Sequence, residues 1–163
     1  MKATGCRLEG RNGHDAAWAL LRKLYSEETG QPLPPVLRTN TGWPYFENSP
    51  YFFSLTHTRN HAFCVLSLSR VGIDAEELTR IVRPQLAERI LSPWEKAQFD
   101  AAADKNRALL TFWVLKEASA KCSGTGLQGM PMHTHFDLND PRVSEWDGCL
   151  VAIVEESRKN HAF

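Results

Sequence analysis

The pattern of apolar positions predicts a helix near the amino terminus. Trp18, Leu21 and Leu24 recur at a spacing that places them on one face of a helix. Gly30 follows, and glycine commonly ends a helix because it adopts the left-handed backbone conformation without strain. We therefore expect an amphipathic helix over residues 16–28.

Strand patterns follow in the middle of the chain. An aromatic segment at Tyr51–Leu55 is expected to begin them. His61–Leu68 is rich in residues that suit strands, and Val71–Glu76 is a second short run. Because Ser69 and Arg70 alone separate these two runs, we expect the runs to pair as a hairpin.

Two more helices are predicted in the second half of the chain. Ser92–Glu95 combines a capping serine, a proline at the first helical position and a glutamate three residues after the serine, so a helix should run from there to about Ala102. Asp104–Cys122 is a longer, mostly apolar helical stretch, and Gly124 and Gly126 follow where it would end.

Two closing strands are expected at Phe136–Leu138 and Cys149–Val154. The second has too few polar positions to face water on one side. Strands and helices of this number and order predict the α+β class, and the pattern by itself specifies no more than that class.

Composition narrows the classes of function. The 163-residue chain is 42% apolar, enough for one core or for two small lobes. Its 19 basic and 19 acidic residues cancel, so nucleic acid is not expected as a partner. The four cysteines lack the spacing of zinc or redox motifs. No segment approaches the ~18 apolar residues of a membrane helix, so we expect a cytoplasmic protein without a membrane partner.

A pair of carboxylates is the first candidate for chemistry. On a strand, residues two apart point to the same face, so Asp74 and Glu76 could present two carboxylates to one ion. The alternative is an exposed strand end with solvated carboxylates. Gly72 argues against that alternative, because a glycine inside a strand suggests that a ligand or another backbone comes close.

Charged residues in the long helix are the second candidate. Glu117 and Lys121 stand four residues apart, which is also the spacing of an ordinary surface ion pair. Lys116, Glu117 and Lys121 interrupt an otherwise apolar helix, so they could project from a buried element into a cleft, where charge needs a partner or a metal. His57 could be a structural histidine or a group for phosphate or proton chemistry.

Together these segments resemble the 4'-phosphopantetheinyl transferases of the larger, surfactin-activating type. The family's Gly-hydrophobic-Asp-x-Glu strand matches Gly72–Glu76, and its aromatic-x-x-Lys-Glu-Ala-x-x-Lys helix matches Trp113–Lys121. Its Ser-His-Ser segment corresponds to Thr56–Thr58, and its Gly-x-Gly-Leu corresponds to Gly124–Leu127. The likeness covers about residues 36–154.

The chain departs from the family in two places. The family's Gly-Lys-Pro turn is Gly42–Pro44 here, so Trp43 replaces a lysine that helps to hold coenzyme A. The amino-terminal region is also shorter than in typical large-class members, which leaves the usual basic contacts to the nucleotide in doubt.

The resemblance implies a fold of two similar lobes related by a pseudo-twofold axis. Each lobe would be a small antiparallel sheet packed on a long helix, with the active site at the lobe interface. Residues 1–70 would form the first lobe and residues 71–163 the second, which would carry the metal-binding motifs.

The resemblance also implies an activity, that of a holo-acyl-carrier-protein synthase. The protein would transfer the 4'-phosphopantetheine group from coenzyme A to a serine of an apo acyl or peptidyl carrier protein and release adenosine 3',5'-bisphosphate. Asp74, Glu76 and Glu117 would hold Mg2+, or Mn2+ in its place. Glu117 would also take the proton from the serine, directly or through a metal-bound water, and Lys121 would pair with phosphate oxygens.

Three further residues are assigned to coenzyme A by the resemblance, and a fourth, Trp43, by the chemistry of its indole ring. Thr56 and His57 match positions that contact the nucleotide phosphate, and Lys116 would line the helix face toward the nucleotide or the carrier protein. Trp43 would lie against the adenine. Packing of Trp43 in the core of the first lobe is the alternative.

Two other functions are alternatives to this activity. A non-catalytic module that binds coenzyme A or a carrier protein is suggested by Trp43 and the short amino terminus. A different Mg2+-dependent nucleotide enzyme would need a phosphate-binding loop, and the sequence has no such motif. The sequence leaves open whether fatty acid, polyketide or nonribosomal peptide synthesis is served, and a monomer is the expected state.

Overall fold

The computed structural model describes residues 1–124 and 135–156, in which helices are combined with antiparallel strands. In chain order the elements are β1 (Lys2–Arg7), α1 (Gly13–Thr29), β2 (Val36–Arg38), β3 (Pro44–Phe46), β4 (Phe52–His57), β5 (His61–Ser67), β6 (Val71–Glu77), α2 (Gln85–Ile90), α3 (Pro93–Ala101), α4 (Lys105–Ser123), β7 (Val143–Trp146) and β8 (Cys149–Glu155). The strands form three sheets with the orders β1-β5-β4, β2-β3 and β6-β8-β7.

Helix α1 packs on one face of the first sheet, formed by β1, β5 and β4. The side chain of Asn12 caps the start of the helix by accepting a backbone N–H of the first turn, and Gly30 ends it with a φ of 69°. Leu21 and Leu24 are buried beside Phe53 of β4. The first helix predicted from the apolar pattern is confirmed.

Helix α4 packs on the second sheet, formed by β6, β8 and β7, with its backbone very close to β6. A Cβ atom on Gly72 would lie 1.9 Å from the carbonyl oxygen of Ala118 and 2.5 Å from the backbone nitrogen of Cys122. Glycine is therefore required at position 72 because the backbone of α4 lies so close, and not because a ligand does. Phe112 and Leu115 are fully buried on the packed face of the helix.

The two three-stranded sheets contact each other through an apolar layer. Phe63 and Val65 of β5 pack with Ile73 and Ala75 of β6 and with Val151 of β8. Full burial of such a side chain contributes about 1.5–3 kcal/mol. Two sheets, each with a long helix on its other face, confirm the α+β class, while the lobe boundary at residue 70 stays a prediction.

The hairpin expected between residues 61–68 and 71–76 is wrong. β5 is the central strand of the first sheet, with β1 on one edge and β4 on the other, so neither edge is free for β6. The hairpin forms between β4 and β5 instead. The chain then crosses at Ser69 and Arg70 to the second sheet, where β6 pairs with β8.

Of the two closing strands, Cys149–Val154 is confirmed as β8, whereas a strand at Phe136–Leu138 is wrong. The backbone N–H of Phe136 donates to Oε1 of Glu95 at 3.1 Å, and that of Leu138 donates to Oε1 of Gln98 at 3.1 Å. Side chains of α3 thus satisfy the backbone N–H groups of this segment. Phe136 can therefore be buried without pairing in a strand.

The predicted ends of the other helices are confirmed. Ser92 and Glu95 form a reciprocal capping box at the start of α3, while Asp104 caps α4 and Gly124 ends it with a φ of 71°. Gly126 lies outside the described residues. In the two described stretches, no helix combines the length and the apolar character needed to cross a membrane.

Candidate active site

Asp74 lies at the contact between the two sheets and is held by donors from two other elements. Nζ of Lys121 on α4 donates to Oδ1 at 2.7 Å, and Oγ1 of Thr56 on β4 donates to the same oxygen at 3.1 Å. Lys121 also donates to the carbonyl oxygen of Ile73 at 3.0 Å. The buried carboxylate is therefore oriented by α4 and β4 together.

Glu76 lies two residues further along β6 and is half-buried. Its carboxylate pairs with Arg80 and accepts a hydrogen bond at 3.1 Å from Nε1 of Trp113, the aromatic residue of the helix motif. Burial raises the pKa of Glu76, Arg80 lowers it and the charge of Asp74 raises it further. Trp113 and Arg80 thus hold this carboxylate toward α4.

Glu117 completes a group of three acidic side chains, in which Lys121 interacts with Asp74 and Glu117 and Arg80 pairs with Glu76. Burial raises the pKa of Glu117, the charge of Asp74 raises it further, Lys121 lowers it, and Glu76 adds a smaller raising effect. The three carboxylates therefore repel one another, and a cation between them would relieve that repulsion. Within residues 1–124 and 135–156, no three Asp, Glu, His or Cys side chains are already arranged as a metal site.

Lys116 forms a buried ion pair. Its ammonium pairs with the carboxylate of Glu95 at 2.8 Å, and both side chains are buried between α3 and α4. The ammonium also lies 5.5 Å from the ring centroid of Phe136. Because its charge is neutralised inside this packing, the structure gives no support to a role of Lys116 toward the nucleotide.

Thr56 and His57 point to opposite faces of β4. Thr56 is buried against Asp74, whereas His57 is exposed and lies on the side of α1. A Cβ atom on Gly13, the first residue of α1, would lie 2.7 Å from the imidazole of His57. The structure therefore separates these two neighbours into different surroundings.

A cavity of about 730 Å³ opens between the β2–β3 hairpin and the end of α4. Arg38, Arg70 and Lys121 contribute cationic groups, and no Asp or Glu is found among the described residues that line it. Its aromatic side chains are Trp43, Tyr45, Phe46, Tyr51, Phe52 and Phe53. The cavity thus suits an anion that carries a flat ring.

Trp43 is half-buried at the wall of this cavity. Its indole lies over the end of α4, where a Cβ atom on Gly124 would be 3.8 Å from the ring. Arg70 reaches the same helix end, with Nη1 at 3.4 Å from the carbonyl oxygen of Ser123. Arg70 and Arg38 are not among the site residues predicted from the sequence, although Arg70 directly precedes the strand with the acidic motif.

Known proteins resemble about half of this chain or somewhat more. The model of the family described as the 4'-phosphopantetheinyl transferase superfamily matches residues 70–161. The 4'-phosphopantetheinyl transferase HetI of Nostoc sp. is 33% identical over 90 residues, which make up 50% of this chain and 36% of that protein. The holo-[acyl-carrier-protein] synthase of Shewanella frigidimarina is 33% identical over 110 residues, 60% of this chain and 86% of that protein.

Among solved structures, the holo-[acyl-carrier-protein] synthase of Thermotoga maritima is 32% identical with a TM-score of 0.41, over 52% of this chain and 61% of that one. The chain thus spans about a third of HetI and less than two thirds of the Thermotoga protein. The family match extends over more than half of the chain and includes both the strand and the helix on which the three carboxylates stand. The chain therefore belongs to the 4'-phosphopantetheinyl transferase superfamily.

Proposed function

We propose that this protein is a Mg2+-dependent 4'-phosphopantetheinyl transferase of the larger type. It would transfer the phosphopantetheine group of coenzyme A to a serine of an acyl or peptidyl carrier protein and release adenosine 3',5'-bisphosphate. The observation that carries the proposal is the group formed by Asp74, Glu76 and Glu117, with Lys121 bound to Asp74, next to a cationic and aromatic cavity.

The donor set fits Mg2+, with Mn2+ as a substitute. Asp74, Glu76 and Glu117 offer the oxygen ligands that this ion prefers, and Mg2+ commonly uses few carboxylates and completes its shell with water and substrate phosphates. Burial raises the pKa values of Glu76 and Glu117, and the charge of the neighbouring Asp74 raises both further. When bound, the ion would stabilise charge on the pyrophosphate under attack.

Lys121 would hold the pyrophosphate from the cavity side. Its ammonium lies 2.7 Å from Asp74, and the residue also lines the cavity, so Lys121 connects the acidic group with the space for coenzyme A. An ammonium binds phosphate as a compact point charge. The ion pair with Asp74 keeps the ammonium in place before the substrate enters.

Glu117 would act as the general base. Its pKa is raised mainly by burial, and a base with a pKa nearer neutrality accepts a proton more effectively at physiological pH. The carboxylate would accept the proton of the carrier serine as the serine oxygen bonds to the phosphorus next to the pantetheine. The bond from that phosphorus to adenosine 3',5'-bisphosphate breaks, and this product leaves with the electron pair.

The cavity would bind coenzyme A. Its volume of about 730 Å³ lies in the range of ordinary ligand sites, ~300–1,000 Å³. Trp43 would stack on the adenine, and Arg38 and Arg70 would supply charge for phosphate where the family's lysine is missing. His57 stays a candidate for the nucleotide phosphate, because it lies beside the first turn of α1, where backbone N–H groups favour anions.

A non-catalytic module that binds coenzyme A or a carrier protein is the second candidate. Trp43 in place of a lysine favours it, since that exchange removes a charge at the substrate. The complete acidic group argues for the enzyme, because a binding module has no need of a base such as Glu117. A cytoplasmic monomer completes the proposal for either function.

Intact-mass measurement separates the two candidates. The protein is incubated with coenzyme A, Mg2+ and separate apo acyl and apo peptidyl carrier proteins. We expect one carrier to gain the mass of phosphopantetheine, and Glu117→Gln and Asp74→Asn each to remove most of the rate. The double variant should be little slower than the single ones, because residues that act as a unit give non-additive losses. Binding of coenzyme A without mass gain on any carrier would favour the module.

A further inference from the structure

Strand β4 and the residue that follows it, Thr58, present a row of hydroxyl groups to β6, which we call the hydroxyl ladder. Its three contacts are Ser54 with the backbone N–H of Ile73 at 3.1 Å, Thr56 with Oδ1 of Asp74 at 3.1 Å, and Thr58 with Oε1 of Glu77 at 2.9 Å. The ladder residues are two apart, so they share one face of the extended chain. They join the first sheet to the edge strand of the second.

Thr56 is the ladder residue that contacts a proposed metal ligand. Its hydroxyl and the ammonium of Lys121 both donate to Oδ1 of Asp74. Among the described residues, the hydrogen bonds to this carboxylate converge on that one oxygen. Oδ2 is therefore the oxygen left for a cation.

The setting of Thr56 is rigid and closed to a substrate. Thr56 is 9% exposed, and its backbone lies inside β4, opposite Phe63 of β5. A β-branched side chain has few accessible rotamers, so the hydroxyl has a fixed direction. A buried hydroxyl needs a partner, and Asp74 provides it. Little of Thr56 remains accessible to a phosphate of coenzyme A.

We propose that Thr56 is a positioning residue for Asp74 and not a contact of coenzyme A. Its hydroxyl fixes the rotation of the carboxylate, so that Oδ2 is presented for the cation. This inference depends on the proposed function, since it assumes a metal at Asp74. Lys121 cannot fulfil this role alone, because the same ammonium is proposed to engage phosphate once coenzyme A is bound.

The first experiment measures Mn2+ binding by electron paramagnetic resonance of the free ion, with coenzyme A present. Thr56→Val keeps the shape of the side chain and removes the hydroxyl, and Thr56→Ser restores it. We expect Thr56→Val to raise the Kd for Mn2+ by ~10- to 100-fold, the usual effect of losing a group that orients a metal ligand. Thr56→Ser should remain close to the unmodified protein.

The matched control is Thr58→Val, which makes the same change in the same ladder. Its acceptor, Glu77, is not among the proposed metal ligands, so the Kd for Mn2+ should be unchanged. Thermal melting of each variant shows whether it is folded. If Thr56→Val does not fold, Thr56→Ala and Thr56→Ser provide the same contrast.

Calorimetric titration with coenzyme A in EDTA supplies the second measurement. We expect Thr56→Val to bind coenzyme A normally without metal. Weaker metal-free binding with an unchanged Kd for Mn2+ would make Thr56 a phosphate contact and overturn the inference. The inference would also be overturned if Thr56→Val bound Mn2+ normally while Asp74→Asn lost Mn2+ binding. If the unmodified protein and Asp74→Asn bind Mn2+ equally poorly, the proposed metal site itself fails, and the inference fails with it.

Discussion

Substitution of Lys116 should destabilise the fold and leave the active site intact. Glu95 is completely buried, and its carboxylate accepts from Lys116 at 2.8 Å, from the backbone N–H of Ser92 at 2.8 Å and from that of Phe136 at 3.1 Å. Lys116→Met would leave this buried charge with two backbone donors and no counter-ion. Removal of one partner of a buried pair costs about 3–5 kcal/mol.

For a chain of this length, that loss corresponds to a fall in Tm of roughly 6–20 °C, since 1 kcal/mol shifts Tm by about 2–4 °C. Differential scanning calorimetry measures the fall. The double variant Lys116→Met with Glu95→Gln should recover part of it, because the unpaired charge is gone although one of the two backbone donors loses its acceptor. Lys121→Met on the same helix is the control. It should weaken coenzyme A binding with a smaller effect on Tm, since Lys121 is partly exposed.

The opposite result would refute this reasoning. If Lys116→Met melted within about 2 °C of the unmodified protein but bound coenzyme A several-fold more weakly, the ion pair would contribute little to stability. Lys116 would then regain the role toward the nucleotide that the family resemblance implies.

Three further predictions address other parts of the molecule. Gly72→Ala should lower Tm strongly, because a Cβ atom there would lie 1.9 Å from the carbonyl oxygen of Ala118; an unchanged Tm would contradict this close packing. The pKa of Asp147 is lowered from 3.8 to about 2, mainly by its hydrogen bond to Arg7. The ionised Asp147 therefore stabilises the fold above pH ~4, and this stabilisation is lost as the pH falls through 2. Acid titration followed by circular dichroism should therefore show Arg7→Gln unfolding at a higher pH, and coincident curves would contradict this. Trp43→Ala should raise the Michaelis constant for coenzyme A by ~5- to 100-fold with little change in Tm, whereas unchanged affinity would exclude stacking.

The features that could be predicted from the sequence depend on short-range geometry. Alternation along a strand places Asp74 and Glu76 on one face, and the four-residue spacing in the helix places Glu117 near Lys121. The capping box at Ser92 is equally local. Such patterns depend on the backbone period, which is the same in every protein that forms these elements.

The features that could not be predicted depend on contacts between distant segments. Nothing near His57 indicates that it will lie beside the first turn of α1, and nothing near Lys116 identifies Glu95 as its partner. β1 was missed because it is largely exposed and short of apolar residues, although it borders the central strand. α2 was missed because it is short and has one buried residue, Ala87.

The pairing of β6 with β8 has a consequence for folding during synthesis. Val71 lies opposite Glu155, and Glu77 lies opposite Cys149, so the partner of β6 is among the last described segments to leave the ribosome. At about 5–20 residues per second, roughly 4–15 s pass between the appearance of β6 and that of β8. During that interval the first sheet and α1 can already be complete. β6 remains without its partner strand until β8 has been synthesised. We expect chaperones to bind, or aggregation to begin, at this unpaired edge of the nascent chain.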